Sequence, residues 1–283
     1  MGIMDGKICM VTGATSGIGE FTALGIAKMG AKVIIVGRDQ EKCLSTVKRI
    51  QIDTGNLAVE YLLADLTSQA QIRALSRQFH RQYDHLDVLV NNAGGFFLRR
   101  KVSVDGFEMT FALNHLNYFL LTNLLLDALK ASSRARIVNV ASNNHWQEHL
   151  DFEDLQMTKR YNGFRAYGRS KLANVLFTYE LSRHLAGTNI TVNALHPGFV
   201  ATDIYRKVNR LLTLLIVPLI RLMALPPSEG AQTSIYLASS PEVVGVTGKY
   251  FILKKPVPSD PATYVVSDAR RLWDISLEMT GLK

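Results

Sequence analysis

The stretch Thr12-Gly13-Ala14-Thr15-Ser16-Gly17-Ile18-Gly19 decides the fold. It follows a short apolar run at residues 7–13 and precedes a segment, 17–30, in which Ile18, Phe21, Leu24 and Ala27 recur at helical spacing. Strand, glycine-rich turn and helix in that order make a first βα junction. Its glycines let the backbone turn tightly and approach a pyrophosphate, while the helix N-terminus offers unpaired N–H groups and a positive dipole end. A glycine-rich turn alone can be an ordinary turn; its place at the first junction raises this one above that reading. Gly13, Thr15, Ser16, Gly17, Ile18 and Gly19 are the candidate cradle for a nucleotide.

The same alternation continues along the chain. Apolar runs at 31–37, 58–63, 88–90, 136–141, 190–195 and 249–253 read as further strands. Helical patterns separate most of them, at 40–53, 68–83, 105–130 and 164–186, the third being the longest apolar one. Repeated β-α-β order predicts an α/β fold: one Rossmann-type, doubly wound parallel sheet of about seven strands with helices on both faces. No linker-like segment or internal repeat interrupts it, so residues 1–283 are read as one domain, with an extension at about 254–283.

Composition narrows the function classes. Two cysteines, Cys9 and Cys43, cannot make a disulfide framework, and buried thiols in a reducing compartment are expected. Strand-like sequence begins at Lys7, which leaves no room for an export signal and makes the cytoplasm the expected location. The net charge of +8 is spread over separated basic pairs, such as Arg99-Arg100-Lys101 and Lys254-Lys255. That suits a solvated surface, an anionic cofactor or an anionic membrane surface. No nucleic-acid-binding motif is present, and neither a nucleic-acid partner nor a metal is expected.

At the end of the second strand, Gly37-Arg38-Asp39 bears on cofactor choice. Arg38 can meet a ribose 2′-phosphate with its planar fork of donors, which favours NADP(H); Asp39 is the competing ribose carboxylate, and a plain surface role for Arg38 stays open. Asp65, with Leu66, ends the third strand and could accept from an adenine amine or simply form a turn. Asn91, Asn92, Ala93 and Gly94 end the fourth, where a cofactor crevice or a turn would use them.

Tyr167 and Lys171 stand one helical turn apart on one face. A phenol with a pKa near 10 is only about one part in a thousand ionised at neutral pH. A neighbouring ammonium lowers that pKa and makes Tyr167 a usable acid or base. Ser142, at the tip of the fifth strand, can hold a substrate oxygen or cap a turn. Asn114, an amide inside an apolar helix, needs a hydrogen-bonding task, such as anchoring a water toward Lys171, unless it lies on a partly exposed face. Pro197-Gly198, Val200 and Thr202 follow the sixth strand, where the chain would turn beneath a nicotinamide.

Together these residues resemble the short-chain dehydrogenase/reductase family over about residues 5–255, and most closely its retinol dehydrogenase branch and WW-domain-containing relatives. The resemblance rests on the glycine turn, Asn91–Gly94, Asn114, Ser142, Tyr167 with Lys171, and Pro197-Gly198 with Thr202. Asp151-Phe152-Glu153-Asp154-Leu155, Asn114-His115-Leu116 and Ser170-Lys171-Leu172-Ala173-Asn174 look like that branch in particular. The resemblance implies that Tyr167 is the catalytic acid/base, that Lys171 lowers its pKa and binds ribose, that Ser142 positions the substrate oxygen, and that Asn114 supports a proton relay. It implies hydride exchange between NADP(H) and a carbonyl or alcohol carbon of a lipophilic substrate: retinal-like, a long-chain aldehyde or a cyclic ketone. The alternative is a catalytically silent nucleotide sensor or scaffold of the same fold. Helices at 105–130 and 164–186 are expected to pair across a two-fold axis in a homodimer or homotetramer.

Residues 211–220 are apolar apart from Thr213, flanked by Arg210 and Arg221 and interrupted by Pro218. The run is too short to span a bilayer. It is read as part of a substrate lid at about 202–226, with peripheral membrane contact through 211–225 as a further expectation. An oligomer contact or a buried helix would use the same residues.

Overall fold

The computed structural model of the chain describes residues 2–200 and 224–283. Eight strands form one sheet: β1 (Ile8–Thr12), β2 (Lys32–Gly37), β3 (Val59–Leu63), β4 (Val88–Asn91), β5 (Ala135–Val140), β6 (Ile190–His196), β7 (Tyr250–Ile252) and β8 (Lys255–Val257). Their order across the sheet is β3-β2-β1-β4-β5-β6-β7-β8. Neighbours from β3 to β7 run parallel, and β8 turns back antiparallel on β7. The chain reverses its direction of progress between β1 and β4, and the crevice at the carboxyl ends of those strands is where doubly wound sheets take ligands.

The central strands β1, β2 and β4 are largely apolar because both of their faces are covered. In β1, Cys9 and Val11 face a core layer with Ile26, Ile35, Val88 and Val138, while Met10 faces the opposite layer with Ile34, Leu89, Phe119 and Ile137. The period of two along each strand thus distributes side chains to two dry layers. Helix α1 (Gly17–Lys28) and α2 (Gln40–Thr54) join the first layer; α3 (Gln69–Gln82) and the helices following β4 join the second. Cys9 and Cys43 are buried free thiols.

The pattern read as one helix over 105–130 is three pieces with a wide turn inside. A short α4 (Met109–Phe111) is capped by the Glu108 carboxylate, which accepts from Thr110 N and Phe111 N at 2.9 and 2.8 Å. A π-turn over Ala112–Leu116 follows, then α5 (Asn117–Leu124) and α6 (Leu126–Ala131). Residues 105–108 lie outside the helix because Gly106, at φ 86°, closes a tight turn before Glu108. The side-chain amides of Asn117 and Asn123 bond carbonyls four residues back, at Leu113 and Phe119, competing locally with the helical ladder.

Helix α7 (Gly163–His184) carries the Tyr167–Lys171 pair, and two short helices, α8 (Pro227–Gly230) and α9 (Gln232–Ser239), cover the edge beside α1. The C-terminal extension is itself structured. Beyond β8 it forms a 3-10 turn at Pro261–Tyr264 and α10 (Val266–Thr280). Trp273 on α10 packs against Phe119 of α5 and against Phe177 and His184 of α7, at ring separations of 4.9, 6.0 and 4.2 Å. The helices expected to meet a second copy are therefore partly covered by α10 of the same chain. Of the expected lid, residues 202–223 lie outside the described residues, as does most of 211–225.

Candidate active site

The glycine turn is held against β4 by hydrogen bonds and close packing. Thr12 Oγ1 accepts from the backbone N–H of Asn92 and Ala93, at 2.9 and 3.1 Å, and donates to Val90 O. The Asn92 amide donates to Thr12 O and Gly13 O, at 2.8 and 3.2 Å. Gly13 takes φ 64°, and a side chain there would strike Ala93 Cα at 2.8 Å, so glycine is required on both counts. Ser16 stands at the N-cap of α1, but its side chain makes no capping bond, which leaves the helix N-terminus facing the crevice. Ile18 lines the same corner, where Gly230 fits between it and Val200.

Arg38 and Asp39 are sorted by the structure. Asp39 is the N-cap of α2: its Oδ1 accepts from Lys42 N at 3.2 Å and its Oδ2 lies 3.7 Å from Lys42 Nζ. Arg38 is exposed at the strand end and, among the described residues, has no carboxylate partner. Gly37 is needed less for an open space than for close packing, since a Cβ there would meet Thr15 Cγ2 and Cys43 Sγ, each at 2.7 Å. Asp65 realises its turn-forming role: Oδ1 accepts from Thr67 N and Oγ1 at 3.0 and 2.8 Å. Leu66 is buried in the apolar core. Asn91 points away from the crevice and bonds Thr122 and Asn139 inside the protein.

Four elements converge at the chemical end. Lys171, buried on α7, donates from Nζ to Val140 O at the tip of β5, at 2.9 Å. The same Nζ lies 5.6 Å from the ring centre of Tyr167 and 5.8 Å from that of Tyr118. Burial holds the Lys171 amine down to about 7, so it gains and loses a proton near neutrality. Gly94 runs beside it; a Cβ there would stand 3.7 Å from Lys171 Nζ and 3.2 Å from Asn114 Oδ1. Asn114, in the π-turn, is fully buried rather than on a partly exposed face. Its Oδ1 accepts from Gly95 N, and its amide donates to Gly95 O and Ser170 Oγ. The side chain thus ties the β4 loop to α7.

Ser142 lies two residues beyond β5 and caps the following turn, accepting from Asn144 N at 3.2 Å and donating to Asn144 Oδ1 at 3.1 Å. That turn packs on α7 at Gly168, where any side chain would strike Asn144 O. After β6, Gly198 takes φ 89° and turns beneath Leu225, and Val200 pairs with Leu225. Pro197 precedes that turn; Thr202 lies outside the described residues.

Several residues at the site escaped the sequence reading. Phe96 packs edge-on to Tyr167 at 5.9 Å, and Phe164 tilts against Phe96 at 5.1 Å. Phe164 is 62% exposed although it lies one turn before Tyr167 on the same helical face. The available signal was Gly95-Phe96-Phe97 directly after the Asn-Asn-Ala-Gly run. Three histidines stand here as well, His115 and His145 buried and His196 half-buried. His115 shares the π-turn with Asn114 and bonds Ser276 Oγ at 2.9 Å; His145 lies under Ser142; His196 accepts from Asn143 N at 3.3 Å.

With this geometry in place, comparison with known proteins gives the family. Residues 7–212 match the short chain dehydrogenase family model, and the chain belongs to that family. It is 44% identical to retinol dehydrogenase 14 of Homo sapiens over 99% of this chain and 88% of that protein. It is 43% identical to polyprenol dehydrogenase of Homo sapiens, over 98% and 86%. Among solved structures it resembles the Pseudomonas aeruginosa RhlG/NADP active-site complex, at a TM-score of 0.70 and 28% identity, over 92% of this chain and 98% of that one. The protein is an oxidoreductase of the retinol dehydrogenase branch, a family that works with a nicotinamide cofactor. No helix among the described residues is long and apolar enough to cross a membrane.

The histidines make stability acid-sensitive. Burial lowers His115 to about 3 and, with help from nearby His145, His196 to about 4. Above pH 6.5 both are neutral folded or unfolded; below it only the unfolded chain takes up protons, so stability falls from pH 6.5 toward 4. Each contributes a slope of up to about 1.4 kcal/mol per pH unit in that window. Urea unfolding between pH 7 and 4.5 is expected to show the decline, shallower in His115→Gln; a flat profile would contradict it.

Proposed function

We propose that the protein exchanges hydride between NADP(H) and a carbonyl or alcohol carbon of a lipophilic substrate, with Tyr167 as the acid/base. The observation that carries this reading is the placement of Lys171: a buried amine bonded to the tip of β5, 5.6 Å from the Tyr167 ring. The nicotinamide, when bound, supplies or accepts the hydride. The chain's own groups do the rest. Reduction of a carbonyl needs a proton at the nascent alkoxide, and the Tyr167 hydroxyl delivers it. The Lys171 ammonium stabilises the phenolate left behind. The Ser142 hydroxyl exchanges its bond with Asn144 for one to the substrate oxygen. Asn114 holds Gly95 and Ser170, and with them the loop and helix on either side of Lys171.

The cofactor preference rests on the division of labour between Arg38 and Asp39. With Asp39 spent on capping α2, the exposed Arg38 is the group left to read the end of an adenosine ribose, and a guanidinium suits a 2′-phosphate. Gly13 to Gly19, with Thr15, Ser16 and the open end of α1, fit a pyrophosphate. Asp65 would take the adenine amine, and Asn92, Ala93, Gly94, Pro197, Gly198 and Val200 would border the ribose and nicotinamide. The structural neighbour solved with NADP supports the same choice.

The substrate class rests on the aromatic wall. A phenyl ring left 62% exposed near the acid/base, tilted against a second phenyl ring, offers an apolar shelf where the carbonyl must enter. Relatives named for retinol and polyprenol, both long apolar alcohols, fit such a shelf.

Two measurements check this reading. Tyr167→Phe is expected to lower kcat for aldehyde reduction by roughly 10²–10⁴-fold while NADPH still binds, and wild type is expected to favour NADPH over NADH. Retained turnover would remove the role of Tyr167, and an NADH preference that of Arg38. Phe164→Ala is expected to raise KM for retinal about tenfold, equivalent to ~1.4 kcal/mol of lost apolar contact, and to leave KM for a short aldehyde unchanged. An equal rise for both would show that the ring does not contact the chain.

A further inference from the structure

The carbonyl of Ser142 turns back under the 3-10 turn at Asn143–His145, and His145 meets it twice. Its backbone N–H donates to Ser142 O at 3.3 Å and its ring Nδ1 lies 2.6 Å from the same oxygen. A carbonyl only accepts, so Nδ1 carries the proton. The other ring nitrogen, Nε2, accepts from the backbone N–H of Asp260 at 3.1 Å. Two bonds of opposite sense select one neutral tautomer; an imidazolium would have no lone pair for Asp260 N–H. The ring is fully buried, edge-on to Tyr250 at 4.9 Å, so it cannot touch substrate.

Asp260 lies at the start of the 3-10 turn that follows β8, far from Ser142 in sequence. Its Oδ1 caps that turn at Ala262 N, 2.8 Å, and its Oδ2 accepts from Gln147 N, 2.9 Å. Gln147 sits at φ 63°, a left-handed conformation costing on the order of 1 kcal/mol for a residue with a side chain. Asp260 therefore grips the Ser142 loop at two points, His145 and Gln147. The turn is fastened in its own right to α7. Ser259 Oγ lies 2.7 Å from Tyr179 Oη and 2.6 Å from Thr263 Oγ1, and Tyr264 stacks on Tyr179 at 5.5 Å. Ser142 and Tyr167 are thus joined by a second route, through residues 259–264, besides the contact at Gly168.

We propose that His145 and Asp260 are positioning residues: together they fix the Ser142 peptide, and so aim its hydroxyl toward the Tyr167 side of α7. The segment after residue 212, outside the family-model match, thereby supplies part of the catalytic framework. The inference rests on the role of Ser142 proposed above.

The test is a double-mutant cycle on NADPH-dependent aldehyde reduction with Ser142→Ala, His145→Ala and their combination, accompanied by His145→Gln and Asp260→Ala. His145→Ala and Asp260→Ala are each expected to lower kcat at least tenfold, with less than a threefold change in KM and unchanged NADPH binding. The doubly substituted protein should be no slower than Ser142→Ala alone, because a residue acting through Ser142 has nothing left to position. His145→Gln, which keeps a donor and an acceptor on one planar group, should recover most of the rate. The imidazole ¹⁵N spectrum of wild type at pH 7 should show His145 neutral and protonated at Nδ1, a reading that needs no turnover and stands even where the alanine variant fails to fold.

Equal losses from His145→Ala in both backgrounds, unchanged kcat, or an Nε2-protonated ring would overturn the inference. A slow Ser142→Ala beside a normal His145→Ala would overturn it alone. A normal Ser142→Ala would overturn the proposed role of Ser142 and this inference together.

Discussion

A lysine amine with no carboxylate partner among the described residues is buried at the meeting of β5, α7 and the β4 loop, and the surrounding architecture follows from holding it there. Among the described residues, Lys171 Nζ donates one hydrogen bond, to Val140 O, and has two aromatic rings at 5.6 and 5.8 Å. Removing the cation from water by burial is what drags its pKa to about 7. The unfolded chain keeps that amine charged up to about pH 10.4. Folding at neutral pH therefore carries a charge-burial cost that fades as pH rises above 7. Contacts on several sides of α7 offset that cost: Asn114 bonds Ser170 from one side, Gly168 abuts the Ser142 turn, and Trp273 packs on Phe177 farther along.

Rigidity at the site comes from buried polar side chains spent on backbone groups. Thr12 and Asn92 join β1 to β4, Asn114 joins the β4 loop to the π-turn and α7, and His145 with Asp260 joins β5 to the C-terminal turn. Each buried donor and acceptor in these ties has a partner, which lets them remain in a dry interior and define one geometry. Phe96 and Phe164 meet through their rings, and Phe164 remains open to solvent.

The parallel sheet was legible in the sequence because both its faces are dry. Strands such as 33–36 and 88–90 read as unbroken apolar runs, and the glycine turn marked where the first strand ends. The Tyr167–Lys171 pair was legible because a helical spacing of four converts directly into a shared face. The eighth strand was not: Lys255-Pro256-Val257 is three residues long, starts with a charge and contains a proline, which an edge strand accepts and a central one does not. Helix α10 begins Val266-Ser267-Asp268-Ala269-Arg270-Arg271, a polar stretch whose apolar face becomes evident only against α5 and α7. The π-turn was hidden by its own composition, since residues 112–116 fit an ordinary helix locally. His145 and Asp260, 115 positions apart, meet only in three dimensions. The roles of Asp65 and Asp39 were ambiguous for a simpler reason: a carboxylate that caps a helix or closes a turn has the same sequence signature as one that binds a ribose.

The most direct test of this account is the titration of Lys171 itself, followed by NMR of ¹³Cε-labelled lysine, with Lys171→Arg to assign the signal. A midpoint near pH 7, set apart from the other lysines, is what burial beside Val140 and Tyr167 requires. A midpoint at the ordinary lysine value of about 10.4 would mean that the amine is solvated and that the geometry described around it is not the one the protein adopts.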